Sequence, residues 1–336
     1  MRQRHLIDPD MLPALDARLA AFPGGFHAIT DITERRATIN ALKAAESATS
    51  PHVVQQDLTV YGSDLPVRVY RPAAVNTSLP GIYYIHGGGM ILGTVAGEDA
   101  AATLLCEQVQ AVVVSVDYRL APEHPYPAAL DDCYAGLAWM HGNAAELGVD
   151  PDRLAIYGAS AGGGLTIATA LAARDRGGPP LRFMMPIYPM LDDRHETPSS
   201  HEITDIGIWD RAASVEAWNC YLAGRPADRY AAPAREEDLS ALPPAFIDVG
   251  AVDLFRDEDI AFAQRLMQAG VPTELHVHPG AYHGAESLAP EAELSQRIWA
   301  LRVDALKRAL RRRVPDSQEG ERVAVPPPGR GARRRR

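Results

Sequence analysis

Gly158-Ala159-Ser160-Ala161-Gly162 places a hydroxyl between two glycines, with the apolar run Leu154–Tyr157 before it and a small-residue stretch after it. A serine held in a tight strand-to-helix turn needs neighbours without bulky side chains, because the two backbones pass close together. Such a turn lifts the hydroxyl to where a base can reach it. A serine hydroxyl is a weak nucleophile at neutral pH, so it needs that base, and the base needs a third group to orient it. A glycine-rich turn with an idle serine would have no such partners elsewhere in the chain.

Downstream of a serine in such an elbow, the expected order is an acid and then a histidine. Asp253 follows the strand-like run Phe246–Val249 in Gly250-Ala251-Val252-Asp253. Of the competing acids, Asp248 lies inside that run. Asp257, Glu258 and Asp259 stand where a helix begins, the place where acids commonly meet free amides and the helix dipole. Asp253 is therefore the favoured acid. His283 lies in Pro279-Gly280-Ala281-Tyr282-His283-Gly284, after the run Glu274–His278. His276 and His278 belong to one face of that run, which fits a structural role, whereas a loop histidine is free to reach the serine.

His86-Gly87-Gly88-Gly89 follows another apolar run, Ile82–Ile85. Ordering glycine costs roughly 0.5–1 kcal/mol per residue relative to alanine within regular structure. A loop that accepts three in a row after a strand is suited to turning its backbone N–H groups toward a developing negative charge. In acyl transfer that charge is the oxyanion of the tetrahedral intermediate, where one donor contributes about 10²–10³ in rate. His86 sits within this loop and is better placed to brace it than to act as a base.

The elements that must position these residues alternate. Residues 9–47 show apolar residues at helical spacing, interrupted at Phe22-Pro23-Gly24-Gly25. Residues 52–61 and 65–70 form an antiparallel strand pair around Gly62-Ser63-Asp64. Strands are expected at Ile82–Ile85, Ala111–Val116, Leu154–Tyr157, Phe183–Tyr188, Ala245–Val249 and Glu274–His278. Helices are expected at 97–110, 127–146, 161–174, 257–269 and about 290–311. Alternation of this kind predicts an α/β fold with a mostly parallel sheet and helices on both faces. Residues 190–240 interrupt it without an evident strand and carry Trp209, Trp218 and Tyr221. This predicts a cap insertion that meets the N-terminal helices over the sheet's C-terminal edge, where ligands bind in open α/β folds.

The expected organisation is thus an N-terminal helical cap segment at 1–50, a first core part at 51–189, the cap insertion at 190–240, a second core part at 241–312, and a disordered basic tail at 313–336. Trp209 and Trp218 are candidates for the substrate pocket.

Composition sets bounds on function. The 336 residues are 46% hydrophobic and 23% charged, as in a globular protein with a large core. The net charge of −10 falls further once the basic end, Arg333–Arg336, is set aside, which argues against a nucleic-acid-binding body. No stretch approaches the ~20 apolar residues of a membrane span. The N-terminus is broken by Asp8, Pro9, Asp10 and Pro13 and lacks the apolar core of a secretory signal, so a cytoplasmic location is expected. Cys106, Cys133 and Cys220 are odd in number and widely spaced, so neither a disulfide framework nor a metal site is expected.

Together these segments resemble the hormone-sensitive-lipase-like α/β-hydrolases, the bacterial family IV carboxylesterases, over most of residues 50–310. His86–Gly89 resembles the family's HGGG loop and Gly158–Gly163 its serine elbow. Asp253-Leu254-Phe255-Arg256-Asp257-Glu258 resembles its acid segment, and the loop Asp117–Ala129 also matches. The resemblance implies an eight-stranded, mostly parallel sheet with a helical cap, and cofactor-free hydrolysis of short- to medium-chain carboxylic esters. It implies Ser160 as nucleophile, His283 as general base and acid, and Asp253 as the orienting acid. The N–H groups of Gly88, Gly89 and Ala161 would form the oxyanion hole, with Gly87 and His86 supporting that loop. A homodimer is also an expectation from the resemblance. Three positions depart from the family pattern: Ala159 replaces Asp or Thr, Leu254 stands where Pro is frequent, and Ala285 replaces an aromatic. The last predicts looser packing around His283. An amidase or peptidase using the same three residues is the alternative enzyme, and a non-catalytic binding protein on this scaffold is the alternative class.

Overall fold

The computed structural model describes residues 3–312 apart from 47–49, Asn76 and Gly207; the expected basic tail lies outside the described residues. Its framework is an eight-stranded sheet of β1 (Val53–Thr59), β2 (Pro66–Pro72), β3 (Leu79–Ile85), β4 (Val112–Val116), β5 (Val149–Ala159), β6 (Phe183–Ile187), β7 (Ala245–Val252) and β8 (Thr273–Tyr282). In space the order is β1-β2-β4-β3-β5-β6-β7-β8. Only β2 runs against its neighbours, pairing antiparallel with both β1 and β4. Every other pairing is parallel.

The continuous apolar runs follow from burial on both faces. All of Val112–Val116 is buried. Along β3, Tyr83 and Ile85 enter one core while Ile82 and Tyr84 enter the other, the two-residue alternation of a strand. The first core is completed by the helices Ala128–Gly142, Ala161–Arg176 and Arg256–Gln268, the second by Asp99–Val109 and Glu293–Ala309. Each fully buried Leu, Ile or Val contributes roughly 1.5–3 kcal/mol, so the two layers fix the sheet that carries the site.

Several strands run further than their apolar stretches. β5 begins at Val149, β7 continues to Val252 and β8 to Tyr282. Ladder hydrogen bonding carries the glycine-containing ends Gly250-Ala251-Val252 and Pro279-Gly280-Ala281-Tyr282 forward, where composition alone predicts loops. Asp253 and His283 therefore stand directly at strand ends. Between β6 and β7 the chain forms the helices Pro198–Glu202 and Arg211–Leu222. N-terminal to the sheet lie the helices Leu12–Ala21 and Ile32–Glu46. Among the described residues no helix is long and apolar enough to cross a membrane.

Candidate active site

Strand register brings the candidate residues together. Val252 pairs with Tyr282, so the next residues, Asp253 and His283, emerge side by side. Ile85 pairs with Gly158 and Ala159 with Ile187, which sets the glycine loop and Tyr188 on either side of Ser160.

Ser160 has φ +59° and ψ −122°, a backbone conformation that L-residues rarely adopt and that costs on the order of 1–3 kcal/mol. Three hydrogen bonds hold it there. Its N–H donates to Ile187 O at 2.9 Å, and its carbonyl accepts from Met190 N–H and Gly164 N–H, both at 3.0 Å. The glycines leave no spare room. A Cβ on Gly158 would strike the Gly162 carbonyl, and one on Gly162 would strike that of Ile85. The elbow is thus packed backbone against backbone, and its side chain points out of the turn.

The Ser160 hydroxyl lies 3.0 Å from His283 Nε2, and His283 Nδ1 lies 2.8 Å from Asp253 Oδ2. A carboxylate only accepts, so Nδ1 carries the hydrogen and Nε2 is left to accept from the serine. Asp253 is fully buried, and its other oxygen accepts from Phe255 N–H at 3.0 Å. The imidazole is closely walled. Tyr188 and Phe255 present ring edges to it at centroid distances of 4.7 and 5.3 Å, and Trp209 lies at 6.4 Å. The looser packing expected from Ala285 does not occur: Ala285 is itself fully buried, and aromatic rings from three other segments surround the histidine.

The glycine loop lies beside the serine. Gly88 and Gly89 have φ of +108° and +63°, and a Cβ on Gly89 would strike Trp209. Among the described residues, nothing accepts the N–H groups of Gly88, Gly89 or Ala161. His86 is 1% exposed, stacks on Tyr118 at 4.2 Å, and sets Nδ1 2.8 Å from Gly87 O. The Tyr118 hydroxyl donates to His86 O at 2.9 Å. Burial pushes the His86 pKa down, so it stays neutral within this loop.

A cavity of ≈ 230 Å³ opens onto Ser160 and His283. Phe26 and Ile39 from the N-terminal segment and Ile208 and Trp209 from the β6–β7 connection line it. These segments are joined by Arg35, whose guanidinium donates to Glu216 at 2.8 and 3.1 Å. Trp218 is not part of the lining. It is 2% exposed and packs against Tyr221 at 6.0 Å, because its helix turns that face into the core.

Of the three acids at the helix start, Asp257 and Glu258 meet backbone amides as expected and Asp259 does not. Asp257 accepts from the amide of Ser199 at 2.7 Å. Glu258 is buried and accepts from Leu191 N–H at 2.8 Å, and burial raises its pKa well above the usual range. Asp259 is fully buried with neither oxygen partnered, and burial followed by the charges of Glu258, Asp253 and Asp248 raises it as well. Sequence reasoning also missed Tyr188, although its place beside Ser160 follows from the pairing of β5 with β6. Among the described residues no cluster of His, Cys, Asp or Glu could hold a metal ion.

Residues 82–287 match a family described as having the alpha/beta hydrolase fold. Carboxylesterase NlhH of Mycobacterium tuberculosis is 40% identical over 311 residues, covering 90% of this chain and 97% of that protein. An arylesterase of Saccharolobus solfataricus is 36% identical, covering 82% of this chain and 91% of its own. The solved structure of a bacterial heroin esterase superposes with a TM-score of 0.85 at 37% identity, covering 92% of this chain and all of that one. With its eight-stranded sheet, serine elbow and glycine loop, the chain belongs to the hormone-sensitive-lipase-like carboxylesterase family of the α/β-hydrolase fold.

Proposed function

We propose that the protein hydrolyses short- to medium-chain carboxylic esters through an acyl-enzyme on Ser160. Ser160 Oγ forms a bond to the carbonyl carbon as His283 Nε2 takes its proton. The carbonyl oxygen becomes an oxyanion and is met by the N–H groups of Gly88, Gly89 and Ala161. Collapse breaks the ester bond, and the alcohol leaves with the proton from His283. Water then attacks the acyl-enzyme with His283 again as base, releasing the acid and restoring Ser160. Asp253 holds the imidazole in the required tautomer and stabilises its charged form.

The observation that carries this reading is the continuous hydrogen-bonded line from Ser160 through His283 to the buried Asp253. The three unmatched N–H groups support the oxyanion assignment, as does the N-terminus of the helix Ala161–Arg176, whose dipole favours negative charge. The names of the relatives support an ester as substrate. The shared lining and the Arg35–Glu216 pair support a cap built from residues 1–50 and 190–240.

A fluorophosphonate probe tests the nucleophile. Intact mass should show one adduct, and peptide mapping should place it on Ser160. An adduct on another serine, or none, contradicts the assignment.

A further inference from the structure

The cavity at Ser160 borders a second one. This second cavity, of ≈ 710 Å³, lies between the helix Asp99–Val109 and the helix Glu293–Ala309. The two cavities share Lys43, Gly97, Glu98, Ser287 and Leu288 as walls, so these five residues stand at their boundary, the neck that a substrate arm would cross. Ligand sites usually span about 300–1,000 Å³. The serine cavity falls below that range, and its neighbour falls within it. An ester with one extended arm fills the first space with its reacting end and needs the second for the rest.

The neck lies on the histidine side of the site. Ser287 and Leu288 belong to the helical turn Ala285–Leu288, which starts two residues after His283. His283 Nε2 is the atom that returns a proton to the departing alcohol oxygen, so the alcohol arm lies on this side of the carbonyl. Beyond the neck the walls carry Leu104, Pro290 and Trp299, with Leu104 exposing 37% of its surface there. Of the polar groups nearby, Ser295 Oγ is buried without a hydrogen-bond partner, and others are already engaged. Trp299 Nε1 donates to Gln108 at 3.0 Å, and Glu98 accepts from Tyr84 at 2.9 Å and pairs with Lys43 at 3.6 Å. The Lys43–Glu98 pair is half-exposed, hence weakly held and able to part as a substrate arm passes.

We propose that the second cavity is a distal subsite for the alcohol arm of the ester, selecting elongated apolar alcohols. This rests on the serine-esterase reading above. The test compares kcat/KM for hexyl acetate and ethyl acetate by acid release, with ethyl hexanoate as the acyl control. Two variants of the full chain narrow the cavity from opposite walls at exposed positions, Ala100→Trp and Ala300→Trp. Each should lower the hexyl-to-ethyl acetate ratio by about tenfold, the scale of a blocked apolar pocket, and leave the hexanoate-to-acetate ratio within about twofold. The subsite is overturned if the folded variants keep the wild-type alcohol ratio, or if the acyl ratio falls as far as the alcohol ratio. Failure of the wild type to hydrolyse any of the three esters would instead remove the esterase reading on which the subsite stands.

Discussion

Tyr188 sets the edge of its ring against His283, with centroids 4.7 Å apart and planes at 62°, while its hydroxyl donates to Glu286 at 2.7 Å. Glu286 also accepts from Arg302 at 2.7 Å, and Arg302 pairs with Asp248 at 2.7 Å. The imidazole is therefore held twice, by Asp253 through Nδ1 and by the ring that Tyr188 packs against it. Tyr188 itself has φ +32°, a conformation the surrounding network must maintain.

Removing the ring should misplace the base. Tyr188→Ala is expected to lower kcat for p-nitrophenyl acetate by about 10²-fold, the scale of an ångström-sized misplacement. Tyr188→Phe keeps the packing, loses only the tether to Glu286, and should cost distinctly less. Steady-state kinetics of both variants check this. Wild-type kcat in Tyr188→Ala would show that Asp253 alone orients His283.

Arg302 is 2% exposed and lies between two buried carboxylates. Burial works against the ionised form of Asp248, and the charge and hydrogen bonds of Arg302 together with His278 outweigh it, holding its pKa below the usual range. Arg302→Ala strands that charge and should destabilise the protein by about 3–5 kcal/mol. Urea unfolding measures the loss, with exposed Lys307→Ala as the control. A loss equal to the control's would mean that the cluster is immaterial to stability.

Asp259 gives a pH-dependent expectation with a definite sign. Its carboxyl is raised in the native state by burial and neighbouring acids, while the unfolded group titrates near ~3.9. Between those two values the native state holds a proton that the unfolded state lacks. Stability is fully present below the unfolded pKa and is lost as pH rises toward the native one, by up to about 1.4 kcal/mol per pH unit. Asp259→Asn does not titrate, so its stability relative to wild type should increase with pH above about 4. Thermal midpoints of the two proteins between about pH 5 and 8 measure the difference. Parallel curves would contradict a protonated Asp259.

The sheet was legible because burial on both faces writes itself as continuous apolar runs such as Val112–Val116. Ser160, Asp253 and His283 were singled out because each belongs to a short segment whose residue types and order carry meaning by themselves. Glu258 does meet backbone amides, as acids at a helix start commonly do, but Asp259 meets none, and only the packing of that helix against β7 reveals the burial of both. Trp218 depends on which face its helix turns inward, a tertiary choice that an aromatic residue alone does not disclose. The aromatic wall around His283 comes from three separate segments, so no local reading of Ala285 could anticipate it. Strand ends rich in glycine were read as loops because hydrogen bonding to a neighbouring strand leaves no trace in composition.

The most direct measurement is the rate of p-nitrophenyl acetate hydrolysis by Ser160→Ala. Without the nucleophile, His283 and Asp253 have no oxygen to activate, and loss of one member costs nearly as much as loss of all three. The expected result is a fall in kcat of about 10⁶-fold, with unchanged folding by circular dichroism. A folded variant retaining activity within about tenfold of wild type would contradict an acyl-enzyme on Ser160.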